Sequence, residues 1–336
     1  MLLLGTDPVF ADHDTGRGHP ERPARLDAVL AGVERAGLAE AVKPLDLRPA
    51  TREELERVHP GAYLDALREL CERGGGAIDA DTVVSRESWD AAVLAAGAGP
   101  AAAEALERGD GDAAFLAVRP PGHHATPRRA MGFCLINNVA VTAAALAAGG
   151  AHVAVVDYDA HHGNGTQDTF YLDPRVLYVS LHQWPLYPGT GSLDDVGRDA
   201  GTGTTCNLPM PAGATGDVYL AACDEVIVPI LERFEPDWLL ISAGFDAHRA
   251  DPLTGLSLTA DDFGLVTARL ARAVRKGRRI AFLEGGYDLD ALTRSVATTL
   301  PNLVGEPAPH EETPSSGGPG HVVVDAANQL WAELAV

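Results

Sequence analysis

The stretch Val155-Val-Asp157-Tyr-Asp159-Ala-His161-His162-Gly-Asn164-Gly165 sets two aspartates and two histidines between an apolar run and a Gly-Asn-Gly turn. In an extended chain, side chains at i, i+2 and i+4 share a face, so Asp157, Asp159 and His161 are expected to project together as a metal-ligand or acid/base cluster. Three further clusters follow the same pattern of an apolar run that breaks into polar chemistry. They are Arg119-Pro-Pro-Gly-His123-His124, Ala243-Gly-Phe-Asp246 and Glu284-Gly-Gly286-Tyr287. Two carboxylates and one imidazole suit a zinc-like ion with an open coordination position, and Asp159, His161 and Asp246 supply that set. Such an ion lowers the pKa of bound water to roughly 7 and polarises a carbonyl, which makes hydrolysis of an amide or ester the natural reaction. His123 and His124 offer the base for the water. Tyr287, on a Gly-Gly turn, offers a hydrogen bond to a developing oxyanion.

The elements that must hold these residues can be read from periodicity. Short apolar runs at 113–118, 152–156, 175–181, 238–242 and 279–283 predict buried strands. Helical spacing is seen in Leu26, Val29, Leu30 and Val33, closed by Gly37, and again from Thr51, whose Glu54 completes a capping-box pattern, to Leu70 with a break at His59-Pro60. Further helices are expected at 88–107, 139–148, 218–234, 260–275 and 324–334. Alternating strands and helices predict an α/β fold with a mostly parallel central sheet flanked by helices on both faces. In such sheets ligands bind at the carboxyl ends of strands, where the four clusters fall. Residues 183–214, rich in Gly, Pro and Asp, are expected to be an irregular wall or lid over the site. Gly74-Gly75-Gly76 lacks the Lys-Ser/Thr of a phosphate loop and reads as a plain turn.

The chain has 336 residues with 47 acidic and 26 basic, a net charge of −21 that argues against binding nucleic acid. No apolar run approaches the ~20 residues of a membrane span, and the opening MLLLG is too short for a signal peptide. Cys71, Cys134, Cys206 and Cys223 form no C-x-x-C pair, as expected for reduced thiols in a cytoplasmic protein. Lysine occurs only at Lys43 and Lys276, a bias that points to a GC-rich bacterial genome. A single domain is expected over 1–304, then a flexible Pro/Gly/Ser-rich linker over 305–320 and a C-terminal helix over 321–336. Nothing in the sequence speaks against a homo-oligomer.

Taken together, the four motifs and Gly18-His-Pro-Glu-Arg-Pro near the start resemble the zinc-dependent histone deacetylase superfamily, in its class II-like and acetylpolyamine amidohydrolase branches. The resemblance runs to about residue 300 and implies the arginase/deacetylase fold. It implies zinc, or alternatively Fe(II) or Co(II), on Asp159, His161 and Asp246. His124 takes the place of the general base and acid, and His123 that of the neighbour that orients water. Asp157 takes the place of the partner of His123, and Asn164 stands where some relatives carry aspartate. Tyr287 corresponds to the transition-state tyrosine. Phe133, after Gly132, corresponds to one wall of an acyl-lysine tunnel. The opposite wall is expected among Trp184 to Pro188, with Trp184 and Tyr187 as its members, and Leu253 and Gly286 complete the expected substrate contacts. The resemblance further implies a structural potassium ion around Asp157, Asp159, His161, Ser180 and Leu181, and a second monovalent site around Phe170, Asp173 and Val176.

The substrate implied is an N-acetylated amine, with acetyl-lysine preferred over acetylpolyamine because Leu253, and not an acidic residue, follows Asp251-Pro252. Two other readings compete: a two-manganese ureohydrolase, disfavoured by the single three-ligand set, and a silent acyl-lysine binder, disfavoured by the intact His pair and Tyr287.

Overall fold

Runs such as Val153-Ala-Val-Val156 have no polar face to offer water, so they belong in a sheet covered on both sides. The computed structural model, which describes residues 1–334, builds them into strands β1 (Leu2–Gly5), β2 (Val42–Pro44), β3 (Gly76–Ala77), β4 (Val83–Val84), β5 (Ala113–Leu116), β6 (Val153–Asp157), β7 (Val176–Gln183), β8 (Thr205–Met210), β9 (Trp238–Ala243) and β10 (Arg279–Leu283). The helices are α1 (Val9–Asp12), α2 (Ala24–Arg35), α3 (Arg52–Glu56), α4 (Gly61–Glu72), α5 (Ser88–Glu107), α6 (Asn138–Ala148), α7 (Asn164–Phe170), α8 (Gly216–Ala222), α9 (Val228–Phe234), α10 (Ala260–Leu270), α11 (Leu289–Val304) and α12 (His321–Leu334).

Eight strands make one sheet in the order β2-β1-β5-β10-β9-β6-β7-β8, every pair parallel, and β3 and β4 form a separate antiparallel pair. Every residue of β5, β6, β7, β9 and β10 is buried. The alanine-rich pair α5 and α6 covers one part of the sheet, and α2, α10 and α11 pack together as a second helical group. The four strands that end in reactive clusters, β5, β10, β9 and β6, are adjacent. Their register sets Leu116, Phe282, Ser242 and Asp157 in one row across the sheet, so the four following loops leave at one level. That level row is what assembles the site.

The predicted capping box is present: Thr51 Oγ1 accepts from Glu54 N at 3.2 Å while the Glu54 carboxylate accepts from Thr51 N at 2.7 Å. Four expectations need correction. Residues 183–214 are not wholly irregular, because β8 closes the sheet edge. Its Thr-Cys-Asn-Leu-Pro-Met sequence hides it from an apolar-run reading, and an edge strand tolerates the proline. The helix expected over 218–234 is divided by a π turn at Cys223–Ile227, and the one over 260–275 ends at Leu270. Residues 305–320 are irregular in backbone but not a free linker. Asp261 Oδ1 accepts from Glu311 N (2.9 Å) and Glu312 N (3.2 Å), Asp262 Oδ2 from Ser315 N (3.1 Å) and Oγ (2.7 Å), and Asp217 Oδ2 from Gly317 N (3.0 Å). Composition cannot show these acceptors, which lie 50 or more residues away in the chain. The last two residues of the C-terminal segment lie outside the described residues.

Candidate active site

Asp159 and His161 leave the end of β6 and meet Asp246 from the end of β9. One donor atom from each lies within 4.8 Å of the other two. His161 Nδ1 stands 3.2 Å from Asp159 Oδ1 and 2.8 Å from Asp246 Oδ2. Backbone N–H groups aim the carboxylates: Gly285 N donates to Asp159 Oδ2 (2.7 Å), His161 N to Asp159 Oδ1 (2.9 Å) and Ala160 N to Asp246 Oδ1 (2.8 Å). Glycine is required beside them. A Cβ on Gly285 would come 2.4 Å from Asp246 Oδ2 and 2.6 Å from Asp159 Oδ2, and one on Gly244 would come 2.0 Å from Asp159 Oδ2. Burial, reinforced by the charge of Asp159, pushes Asp246 up to about 7. Two buried carboxylates held together at this cost fit a cation between them, and the mixed oxygen and imidazole donors suit zinc or a similar divalent ion.

Asp157 does not join that set. β6 ends at Asp157 and the chain turns, so the shared face of an extended strand does not continue to Asp159 and His161. Its Oδ2 instead pairs with His123 Nδ1 at 3.0 Å and accepts from Tyr178 Oη at 3.2 Å. Burial opposes a charge on His123, but the carboxylates of Asp157, Asp159 and Glu284 outweigh it and raise its pKa to about 10. The adjacent ring behaves oppositely. Burial, with the positive ring of His123 beside it, holds His124 well below the usual range. His124 Nδ1 stands 2.8 Å from Asn164 Oδ1. An amide oxygen only accepts, so Nδ1 carries the proton and Nε2 keeps its lone pair. One histidine is thus a cation and the other a base.

A cavity of about 240 Å³ opens above these groups, lined by Asp81, His124, Gly132, Phe133, His161, Leu186, Tyr187, Leu253 and Tyr287. The Tyr187 ring packs edge-on to His124 with centroids 5.2 Å apart, and the Phe133 ring meets Tyr287 at 5.8 Å. Of the expected substrate contacts, Gly132, Phe133, Tyr187 and Leu253 line the cavity. Trp184 and Gly286 do not: Trp184 is exposed and its N–H donates to Met210 O, and Gly286 lies behind Tyr287 with its carbonyl accepting from Arg25 Nε at 2.7 Å. Burial raises the Tyr287 pKa well above its ordinary value, so the phenol stays a donor. Ser180 pairs with Asp157 in the β6–β7 register and Leu181 follows it; Phe170, Asp173 and Val176 lie together where α7 leads into β7. The Asp173 carboxylate is occupied by Arg175.

Several supporting residues escaped sequence reasoning. Glu284 Oε2 accepts from Gly122 N at 2.7 Å and His123 N at 3.2 Å, fixing the loop of the His pair. Asp251 Oδ2 accepts from Tyr287 N at 2.7 Å. Glu21, fully buried, holds Arg119 (Nη2 to Oε2, 2.7 Å) and Arg25 (3.3 Å), and Arg25 in turn binds the carbonyls of Glu284 and Gly286. Glu284, Glu21 and Arg119 sit inside the quoted motifs, so a signal existed. Their partners did not show, since Glu284 to Gly122 spans 162 residues and Glu21 to Arg119 spans 98.

Comparison with known proteins bears directly on this arrangement: residues 19–303 match the histone deacetylase domain. The chain belongs to the histone deacetylase family. It is similar to the histone deacetylase-like amidohydrolase of Pseudomonas aeruginosa (39% identical over 276 residues, 80% of this chain and 73% of that one). It also resembles the probable deacetylase of Archaeoglobus fulgidus (40% over 287 residues, 84% and 80%) and histone deacetylase 10, chloroplastic, of Oryza sativa subsp. japonica (38% over 329 residues, 91% and 74%). The crystal structure of an HDA15 HD domain superposes with a TM-score of 0.90 at 37% identity, covering 99% of this chain and 96% of that one. Membership in this deacetylase and amidohydrolase family makes the chain a hydrolase. No helix among the described residues is long and apolar enough to cross a membrane.

Proposed function

We propose that this histone deacetylase family member removes acetyl from acetyl-lysine in peptides or proteins, with zinc held by Asp159, His161 and Asp246. The observation that carries this reading is the cavity: apolar lining from Phe133, Tyr187 and Leu253 suits a lysine's methylene chain, and His124, His161 and Tyr287 share that lining. Bound there, zinc would polarise the amide carbonyl and acidify water. His124 Nε2 takes the proton from the attacking water and returns one to the leaving amine. His123, charged against Asp157, orients the water and offsets the developing negative charge. Tyr287 donates its phenolic proton in a hydrogen bond to the developing oxyanion. The products are acetate and the free amine.

A second reading, acetylpolyamine hydrolysis, is favoured by Asp81, a carboxylate in the cavity lining that suits a second cation on the substrate. Comparing kcat/KM for an acetyl-lysine peptide and N-acetylspermidine tests the choice. A tenfold or greater preference for the peptide is expected, and a preference for the polyamine overturns it. Potassium at Asp157, Asp159, His161, Ser180 and Leu181, and at Phe170, Asp173 and Val176, belongs to the same proposal. So does a reducing cytoplasmic setting, which suits four buried and unpaired cysteines.

A further inference from the structure

The segment 305–320 lies beyond the part of the chain that matches the deacetylase domain, yet one of its side chains reaches the loop that leaves β9 with Asp246. Glu312, 8% exposed, places Oε2 2.7 Å from His248 Nε2 and 2.9 Å from Ala260 N, and Oε1 2.7 Å from Arg249 Nη2 and 3.5 Å from Arg294 Nη1. His248, 1% exposed, is the centre of the turn. Its N–H donates to Phe245 O (3.3 Å), its carbonyl accepts from Asp251 N (2.8 Å), and its ring Nδ1 accepts from Ala250 N (3.1 Å). A ring nitrogen that accepts a backbone N–H has no proton of its own. The ring proton must therefore sit on Nε2, where Glu312 accepts it.

This tautomer fixes a turn with the metal-site carboxylate at one end and the support of the tyrosine at the other. Asp246 is two residues before His248. Asp251, three residues after it, accepts from Tyr287 N at 2.7 Å and from Leu253 N at 2.9 Å. We propose that Glu312 is a positioning residue: by selecting the His248 tautomer it holds Asp246 and Tyr287 in register, so that a strap outside the matched domain sets the geometry of the active site. The proposal rests on reading Asp159, His161 and Asp246 as metal ligands. Without the carboxylate, a buried N–H on His248 has no acceptor, and the ring gains by moving or by taking the other tautomer, either of which breaks the Ala250 contact.

The test uses the full chain and four proteins: wild type, Glu312→Ala, Glu312→Gln and Glu311→Ala. Glu311→Ala removes the strap's bridge to Arg35 (2.6 Å) but touches nothing in the turn. Zn²⁺ affinity is read by competition with a chromophoric chelator, and kcat and KM with an acetyl-lysine peptide. Glu312→Ala should weaken Zn²⁺ binding about tenfold and lower kcat about tenfold, with KM changed less than twofold. Glu312→Gln should recover both to within threefold, since its amide oxygen can still accept from His248 and Ala260 while Arg249 turns to solvent. Glu311→Ala should keep wild-type values. Wild-type values in Glu312→Ala, or equal losses in Glu311→Ala, would overturn the proposal. Imidazole ¹⁵N shifts of wild-type His248 give a check that needs no variant to fold: a protonated Nε2 with a lone pair on Nδ1 supports the proposal, and any other state refutes it. Should the wild type hydrolyse no acetylated amine, the deacetylase reading fails, and the Zn²⁺ affinities and ¹⁵N shifts still decide the role of Glu312.

Discussion

Replacing Glu21 with Gln should cost about 3 kcal/mol at neutral pH, and the loss should fade in acid. Glu21 is wholly buried with Arg119 and Arg25, both also without exposed surface. Burial opposes its charge, but Arg119 outweighs burial and holds the pKa at about 2, against 4.5 in an unperturbed carboxyl. A shift of that size corresponds to about 3 kcal/mol of preference for the ionised form, within the range for breaking one partner of a buried ion pair. Glutamine keeps the volume, so the charge alone is tested. For a chain of this length the unfolding entropy near the midpoint is about 0.7 kcal/mol per kelvin, which converts the loss to a fall of roughly 4–5 °C in Tm. The sign with pH follows from the depressed pKa. Stability from Glu21 is fully present above pH 4.5 and is lost as pH falls from there to about 2, whereas the variant has nothing to titrate at that position. Urea melts should therefore show a constant gap between pH 7 and 5 that narrows by about 1.4 kcal/mol by pH 3.5. A Tm drop under 1 °C, or a gap that stays constant to pH 3.5, refutes the assignment of that energy to the buried ion cluster.

Tyr287→Phe should lower kcat by about 10²–10³ with a Tm shift under 2 °C, because the ring keeps its packing on Phe133 and Arg25 and only the oxyanion donor is lost. Gly285→Ala should weaken Zn²⁺ binding by more than tenfold in a chelator competition, since its Cβ would crowd both carboxylates at 2.4 and 2.6 Å; unchanged affinity would mean that Asp159 and Asp246 are free to move. His13 and His59 are each lowered to about 4, chiefly by burial, so they bind protons on unfolding and stability should fall as pH drops from 6.5 toward 4. His59→Gln should flatten that slope by up to about 1.4 kcal/mol per pH unit in urea melts.

What could be read from the sequence was what depends on neighbours in the chain. The apolar runs of β5, β6, β9 and β10 announced strands, and the polar clusters at their ends announced the site. The geometry depends on register, which placed those four strands side by side; spacing alone put Asp157, Asp159 and His161 on one face, whereas the family resemblance already set Asp157 beside His123, and β6 ends at Asp157 with its carboxylate on that ring. Tyr187 could be narrowed only to a five-residue window, because the wall it forms is irregular backbone. Glu21, Arg119 and Arg25, and equally Glu312 with His248, were silent as clusters, since Glu21 to Arg119, Arg25 to Gly286 and Glu312 to His248 span 98, 261 and 64 residues, and a lone charged residue reads as surface until its burial is known.

Whether amide hydrolysis depends on a cation at Asp159, His161 and Asp246 is decided by removing and restoring the metal. Chelation should abolish hydrolysis of an acetyl-lysine peptide, and stoichiometric Zn²⁺ should restore it in the wild type but not in Asp246→Asn. Turnover that survives complete chelation, or zinc rescue of Asp246→Asn to the wild-type rate, would contradict a cation held by these three side chains.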